Sequence, residues 1–233
     1  MFSMKKIALV LSAFLLTAPA LANQGFYGEL SLGSANNEIE TDYSYDYNSD
    51  SLGDVQIGSD SGTLKSSGNS TSYGVRLGYQ FNEYVTAEIG YHQYGTWDDT
   101  FVNENNETIK DQAETSATSV GIKGVLPLSK DFSLFARLGS ATWDIKTSSS
   151  DVSAPAQVKN QKQDGTDIYY GIGGEYNINK RFSVGLEYTV LNIDWDNSYG
   201  NGNDDIGYSN EFEGFTSNSG SINNLALLLK VKF

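Results

Sequence analysis

The chain has 233 residues, with 15 Lys plus Arg against 29 Asp plus Glu and a formal charge of −14. That balance, with no basic cluster, excludes a nucleic-acid-binding surface, which needs a cationic stripe for the phosphates. Cysteine is absent, which excludes disulfides, thiolate chemistry, Cys-ligated metals and a lipid-modified cysteine, while 24 Gly, 15 Tyr and only 3 Pro suit strands and turns.

The first segment reads as an address. Lys5 and Lys6 give a basic start, residues 7–16 an apolar run, and Thr17-Ala18-Pro19-Ala20-Leu21-Ala22 a small-x-small end. The run is too short to cross a bilayer as a helix, so residues 1–22 are expected to be a cleaved signal peptide and residues 23–233 an exported barrel domain. No later apolar run reaches the length of a transmembrane helix. A membrane role therefore requires a closed barrel.

Eight segments of period two follow, each with an apolar and a small or polar parity. In chain order, Phe26, Gly28, Leu30 and Leu32 oppose Tyr27, Glu29 and Ser31; Tyr73, Val75, Leu77, Tyr79 and Phe81 oppose Gly74, Arg76, Gly78 and Gln80. Val85, Ala87, Ile89 and Tyr91 oppose Thr86, Glu88, Gly90 and His92; Val120, Ile122 and Leu126 oppose Ser119, Gly121 and Lys123. Phe132, Leu134, Ala136 and Leu138 oppose Ser133, Phe135, Arg137 and Gly139; Ile168, Tyr170, Ile172 and Tyr176 oppose Tyr169, Gly171, Gly173 and Glu175. Finally Phe182, Val184, Leu186, Tyr188 and Val190 oppose Ser183, Gly185, Glu187 and Thr189, and Leu225, Leu227, Leu229, Val231 and Phe233 oppose Ala226, Leu228, Lys230 and Lys232. Strands of roughly ten residues match a tilted bilayer crossing.

The connections alternate. Short ones fall around Asn82-Glu83, Leu128-Ser129-Lys130-Asp131 and residues 177–181, whereas residues 36–71, 98–114, 144–167 and 192–221 are long and dense in Ser, Asn, Asp, Gly and Thr. The pattern predicts an all-β fold: an eight-stranded antiparallel up-and-down transmembrane barrel with short periplasmic turns and long extracellular loops. The polar parity carries about one charge per strand among glycines, far too few for the solvent face of a soluble barrel, so it is expected to face the lumen. The apolar parity ends in Phe26, Phe81, Phe132, Tyr176, Phe182 and Phe233 on the short-turn side, an aromatic girdle.

The charges sort by place. The four long connections hold 23 acidic residues against five lysines, a formal charge of −18. A solvated polar face is the reading preferred over a calcium site, since Asp194-Trp195-Asp196 and Asp204-Asp205 lack ion-loop spacing. On the inward parity, Glu29, Arg76, Glu88, Lys123, Arg137, Glu175, Glu187 and Lys230 each lie within about five residues of the short-turn end, so a lumen ion-pair layer interleaved around the ring is expected to plug the barrel. The single histidine, His92, is expected to be a hydrogen-bonded structural residue. No catalytic, cofactor-binding or metal-binding constellation stands out, and no cofactor is expected.

The opening Gly25-Phe26-Tyr27-Gly28-Glu29-Leu30-Ser31-Leu32-Gly33, together with Tyr73-Gly74-Val75-Arg76-Leu77-Gly78-Tyr79-Gln80-Phe81 and Tyr170-Gly171-Ile172-Gly173-Gly174-Glu175-Tyr176, resembles small barrels of the OmpA-like outer-membrane group. Residues 132–139 and 182–188 and the terminal Phe233 share the resemblance, which spans the mature chain; with the last strand at Phe233, no periplasmic peptidoglycan-binding domain is expected. The resemblance implies an integral protein of the Gram-negative outer membrane with a role in envelope integrity, adhesion or surface interaction. A small-solute porin-like channel is the alternative, and a lipid-modifying enzyme the third reading. It implies as partners the outer-membrane lipid and lipopolysaccharide, an extracellular ligand or host surface, and the assembly machinery, which would read Phe233 as its signal. Nucleic acid is not among them.

Overall fold

Three tight turns join strands on one side, and each is built by the same device. Asn82 Oδ1 accepts the backbone N–H groups of Tyr84 and Val85 at 2.8 and 2.9 Å. Ser129 Oγ accepts those of Asp131 and Phe132 at 3.3 and 3.0 Å, and Asn179 Oδ1 those of Arg181 and Phe182 at 2.8 and 2.9 Å. A short polar side chain that satisfies the N–H groups two and three residues on closes a turn without outside help.

The computed structural model describes residues 25–51, 54–102, 108–151, 158–200 and 211–233. The expected signal peptide and Asp204-Asp205 lie outside the described residues. Eight strands, β1 Gly25–Ser51, β2 Asp54–Gln80, β3 Val85–Val102, β4 Thr108–Pro127, β5 Phe132–Asp151, β6 Val158–Asn177, β7 Phe182–Gly200 and β8 Glu211–Lys232, form a closed antiparallel barrel in sequence order. The ladder Tyr27↔Lys232 through Asn48↔Glu211 joins the first strand to the last, so no edge remains within the membrane-spanning half.

Near the turns, the apolar parity faces out. Phe26, Leu77, Ile89, Ile122, Leu138, Ile172, Leu186 and Leu227 are all exposed, whereas the intervening charged and small residues are buried. An all-β surface that exposes leucine and buries glutamate is stable only in lipid. The band runs seven to nine residues along each strand, from Phe26 to Leu32 on β1 and from Phe81 to Tyr73 on β2. At roughly 3.3 Å per residue and the tilt of such strands, that is about 20 Å, close to the apolar height of an outer-membrane barrel. Phe26, Phe81, Phe132, Tyr176 and Phe182 are exposed at its turn side, and Phe233 is half-buried there.

The strands are longer than their sequence pattern announces. Instead of roughly ten residues they run from 18 to 27, so the four long connections are largely strand, not irregular loop. A 27-residue strand at that tilt reaches about 65 Å, well over twice the apolar band. Above the band the sense of amphipathicity inverts while parity is kept. Outward positions become Ser34, Glu38 and Asp42, and inward positions become Ala35, Ala141, Trp143, Ile145, Leu191, Ile193 and Ile222, which are buried. Lipid no longer lies outside, so the apolar residues move to the interior.

The outer half is also split. Pairing between β2 and β3 stops at Tyr73↔Gln93, and pairing between β6 and β7 stops at Tyr169↔Leu191. Beyond these points β7, β8, β1 and β2 form one four-stranded sheet and β3, β4, β5 and β6 another. A bulge between Gln93 and Thr96, with Gly95 at φ 81°, turns β3 away from β2. The two sheets pack face to face through Trp143 and Trp195, whose ring centroids lie 5.6 Å apart.

Candidate functional site

All eight of the charged residues expected in the lumen are buried there. They meet both across the barrel and between neighbouring strands. Arg137 on β5 reaches the opposite strand, where its Nη2 donates to both carboxylate oxygens of Glu29 at 2.8 Å, while its Nε donates to Glu88 at 2.7 Å and its Nη1 to Glu187. Arg76 Nη1 donates to Glu29 at 2.7 Å and to Glu187 at 2.8 Å. Below these, Glu175 takes Lys123 Nζ at 2.9 Å and Lys230 Nζ, and Lys123 lies 3.9 Å from Glu29, linking the two groups. Four acids and four bases leave the network formally neutral, which is what burial in a narrow lumen demands.

Aromatic rings fill the space the ions leave, and each rests opposite a glycine. Tyr27 pairs in register with Gly78, Phe135 with Gly173, Tyr169 with Gly139, and His92 with Gly74. A Cβ at any of these glycines would overlap the facing ring. Tyr27 donates its hydroxyl to Glu88, and Phe135 lies under Lys123 Nζ at 4.2 Å and Arg137 Cζ at 4.8 Å. Neither ring was among the residues expected to build the layer. The signal for them is a bulky aromatic on the inward parity, and it becomes decisive only when register sets each against its glycine.

His92 is buried and stacked on Tyr94 at 6.0 Å, and its Nε2 has no protein hydrogen-bond partner. It faces the space over Gly90, beside Arg76 and Ser119. Above it the lumen closes on an apolar core that includes Tyr94, Ala117, Trp143, Leu191 and Ile222. Trp143 Nε1 donates to Asp167 Oδ2 at 2.6 Å, and that carboxylate also accepts the Asp194 backbone N–H at 3.3 Å, stitching β6 to β7 where their ladder ends. Ser70 Oγ does the same for the other seam by donating to the Tyr94 carbonyl.

The outer surface of the head is polar, and Lys65, Lys110, Lys146 and Lys162 are paired. Lys65 meets Glu40 at 2.8 Å, and Lys162 meets Asp144 at 2.7 Å and Asp164 at 3.2 Å. Hydrogen bonds to Asp144 and then Asp164 hold the exposed Lys162 ammonium above the ordinary lysine pKa. Among the described residues no group of three His, Asp or Glu side chains is arranged to hold a metal ion.

A lipid-facing apolar band around a charged, filled lumen is the physical signature of an outer-membrane barrel, and the outer membrane protein beta-barrel domain model matches residues 7–213. The chain belongs to that family. As a member of the outer membrane protein beta-barrel domain family it resides in the Gram-negative outer membrane. No curated protein sequence matches the chain. Among solved structures, the outer membrane protein OprG from Pseudomonas aeruginosa is similar at 14% identity and a TM-score of 0.53, covering 90% of this chain and 97% of that one. Ail, the attachment invasion locus protein of Yersinia pestis, solved with the heparin analogue sucrose octasulfate, matches at 14% identity and a TM-score of 0.38, covering 86% and 99%. Neisserial surface protein A matches at 12% identity and a TM-score of 0.40, covering 91% and 100%. At 14% identity the likeness to OprG is one of fold.

Proposed function

We propose that this protein is a closed membrane anchor that holds an acidic two-sheet head outside the cell, with a structural or surface-interaction role rather than transport or catalysis. One observation supports this most: the barrel is filled along its axis, by the charged network within the membrane and by the apolar core above it. A passive pore needs a continuous wet path, and an eight-stranded barrel packed with side chains offers none. The only histidine is buried within that filling, away from any substrate. In this reading the lipid band contacts outer-membrane lipid and lipopolysaccharide, the head meets an extracellular ligand or host surface, and Phe233 is the assembly signal. Residues 1–22 are removed on export. The test is single-channel recording of the folded protein in a planar bilayer. The expected trace stays at the protein-free baseline; reproducible conductance steps would replace the anchor reading with the porin-like one.

A further inference from the structure

The split of the head leaves strand edges without a ladder partner, and that of β2 is the longest. From Asp54 to Ser72 its ladder pairs are all with β1, and pairing to β3 begins only at Tyr73. Residues 61–69, Ser-Gly-Thr-Leu-Lys-Ser-Ser-Gly-Asn, contain no proline and a single lysine, so the usual devices that blunt an edge are nearly absent. Leu64 sits on the inward parity of β2, where Ser72 and Arg76 are buried, yet it is 62% exposed. An apolar inward side chain open to solvent marks the place where the neighbouring strand has departed. The edge is thus a row of backbone donors and acceptors beside an unfilled apolar contact.

Charge selects what suits it. The segments 36–71 and 192–221, whose described residues build this sheet's outer half, carry 13 acidic residues and one lysine, and that lysine, Lys65, is taken by Glu40. Across the seam Asp98 is exposed and holds Lys110 at 3.2 Å. A second copy of the chain would bring one acidic sheet against another, and like charges on paired strands repel. A strand with basic residues on its outer face and β-branched ones on its inner face meets no such opposition. We infer that the β2 edge over residues 61–69 docks an extended basic segment of an extracellular polypeptide, which adds as a strand in the seam between β2 and β3. This rests on the surface-interaction reading and names its partner. Backbone bonds give affinity in such strand addition, Leu64 gives a side-chain contact, and the acidic sheet speeds encounter and makes binding salt-dependent.

The probe is a nine-residue peptide of alternating Lys and Thr with blocked ends, added to the folded protein in nanodiscs and read by amide hydrogen exchange. The same peptide with Glu for Lys, and one N-methylated along one edge, serve as controls. The Lys peptide is expected to slow exchange of amides within residues 61–69 at least about fivefold, with neither control doing so. Thr63→Pro and Leu64→Pro are made as a pair, because adjacent residues send N–H groups to opposite sides; the one that still folds by heat-dependent gel migration removes an edge donor and should weaken protection. Absence of protection, or equal protection by the N-methylated or Glu peptide, overturns the docking site. Such a failure in a barrel that remains non-conducting leaves the anchor reading standing, whereas conductance overturns that reading whichever way the peptide behaves.

Discussion

Replacing Arg137 by Ala isolates the strongest electrostatic element of the lumen. Arg137 is 2% exposed and pairs with three carboxylates. Two of these keep a cation when it is lost: Glu29 retains Arg76 and Lys123, and Glu187 retains Arg76. Glu88 does not. Among the described residues its only ion-pair partner is Arg137, and it would keep just the Tyr27 hydroxyl. Leaving one buried charge uncompensated costs roughly 3–5 kcal/mol. With a urea slope of about 2 kcal/mol/M, the unfolding midpoint in lipid vesicles should fall by about 2 M. The double variant Arg137→Ala/Glu88→Gln should regain much of that loss, because it removes the orphan as well. Arg76→Ala, whose two carboxylates both keep Arg137, should shift the midpoint distinctly less. Tryptophan fluorescence against urea gives all four midpoints. Equal midpoints for wild type and Arg137→Ala, or no gain from the double variant, would refute the cross-lumen network.

Gly78→Ala should destabilise by roughly 1–3 kcal/mol, because its methyl would overlap the Tyr27 ring, while Gly124→Ala, with nothing within 4 Å, should be neutral in the same urea assay. Trp143→Ala removes the fully buried centre of the head and should cost about 3–5 kcal/mol there; the outer half is expected to become protease-sensitive while the membrane half keeps its heat-dependent gel migration. Deleting Phe233 should lower the assembled amount in the outer membrane far more than deleting one residue from 36–71, measured by immunoblot of membrane fractions.

The membrane half of the fold was legible because lipid forces a strict rule on every strand: apolar out, small or charged in. Glu29 and Arg76, and Lys123 and Arg137, could be placed at one depth by counting from turns. Counting along strands does not say who reaches whom, so partners on a neighbouring strand and partners across the lumen are equally open to the sequence. Arg137 spans to Glu29 on the strand opposite because a guanidinium on a long stem can serve three carboxylates at once. The head was illegible for a different reason. Its strands alternate too, but Ala35, Ala113, Ala117 and Ala141 are weak apolar markers amid Ser, Asn and Asp, and the sense of alternation is reversed. A search for apolar-outward strands therefore ends where the membrane ends. The β2–β3 seam coincides with the bulge between Gln93 and Thr96, which a lone Gly95 does not announce.

The most direct test of a barrel filled from end to end is a single-cysteine scan along β5, made straightforward by the absence of native cysteine. Positions 134 and 138 face lipid and positions 142 and 146 face water, whereas 141 and 145 point into the filled interior. In the folded protein, 134 and 138 should react only with a lipid-soluble maleimide, 142 and 146 should react with a charged water-soluble one, and 141 and 145 should react with neither until the barrel is unfolded. Ready labelling of 141 and 145 by the water-soluble reagent in the folded state would show an open interior and contradict the closed anchor.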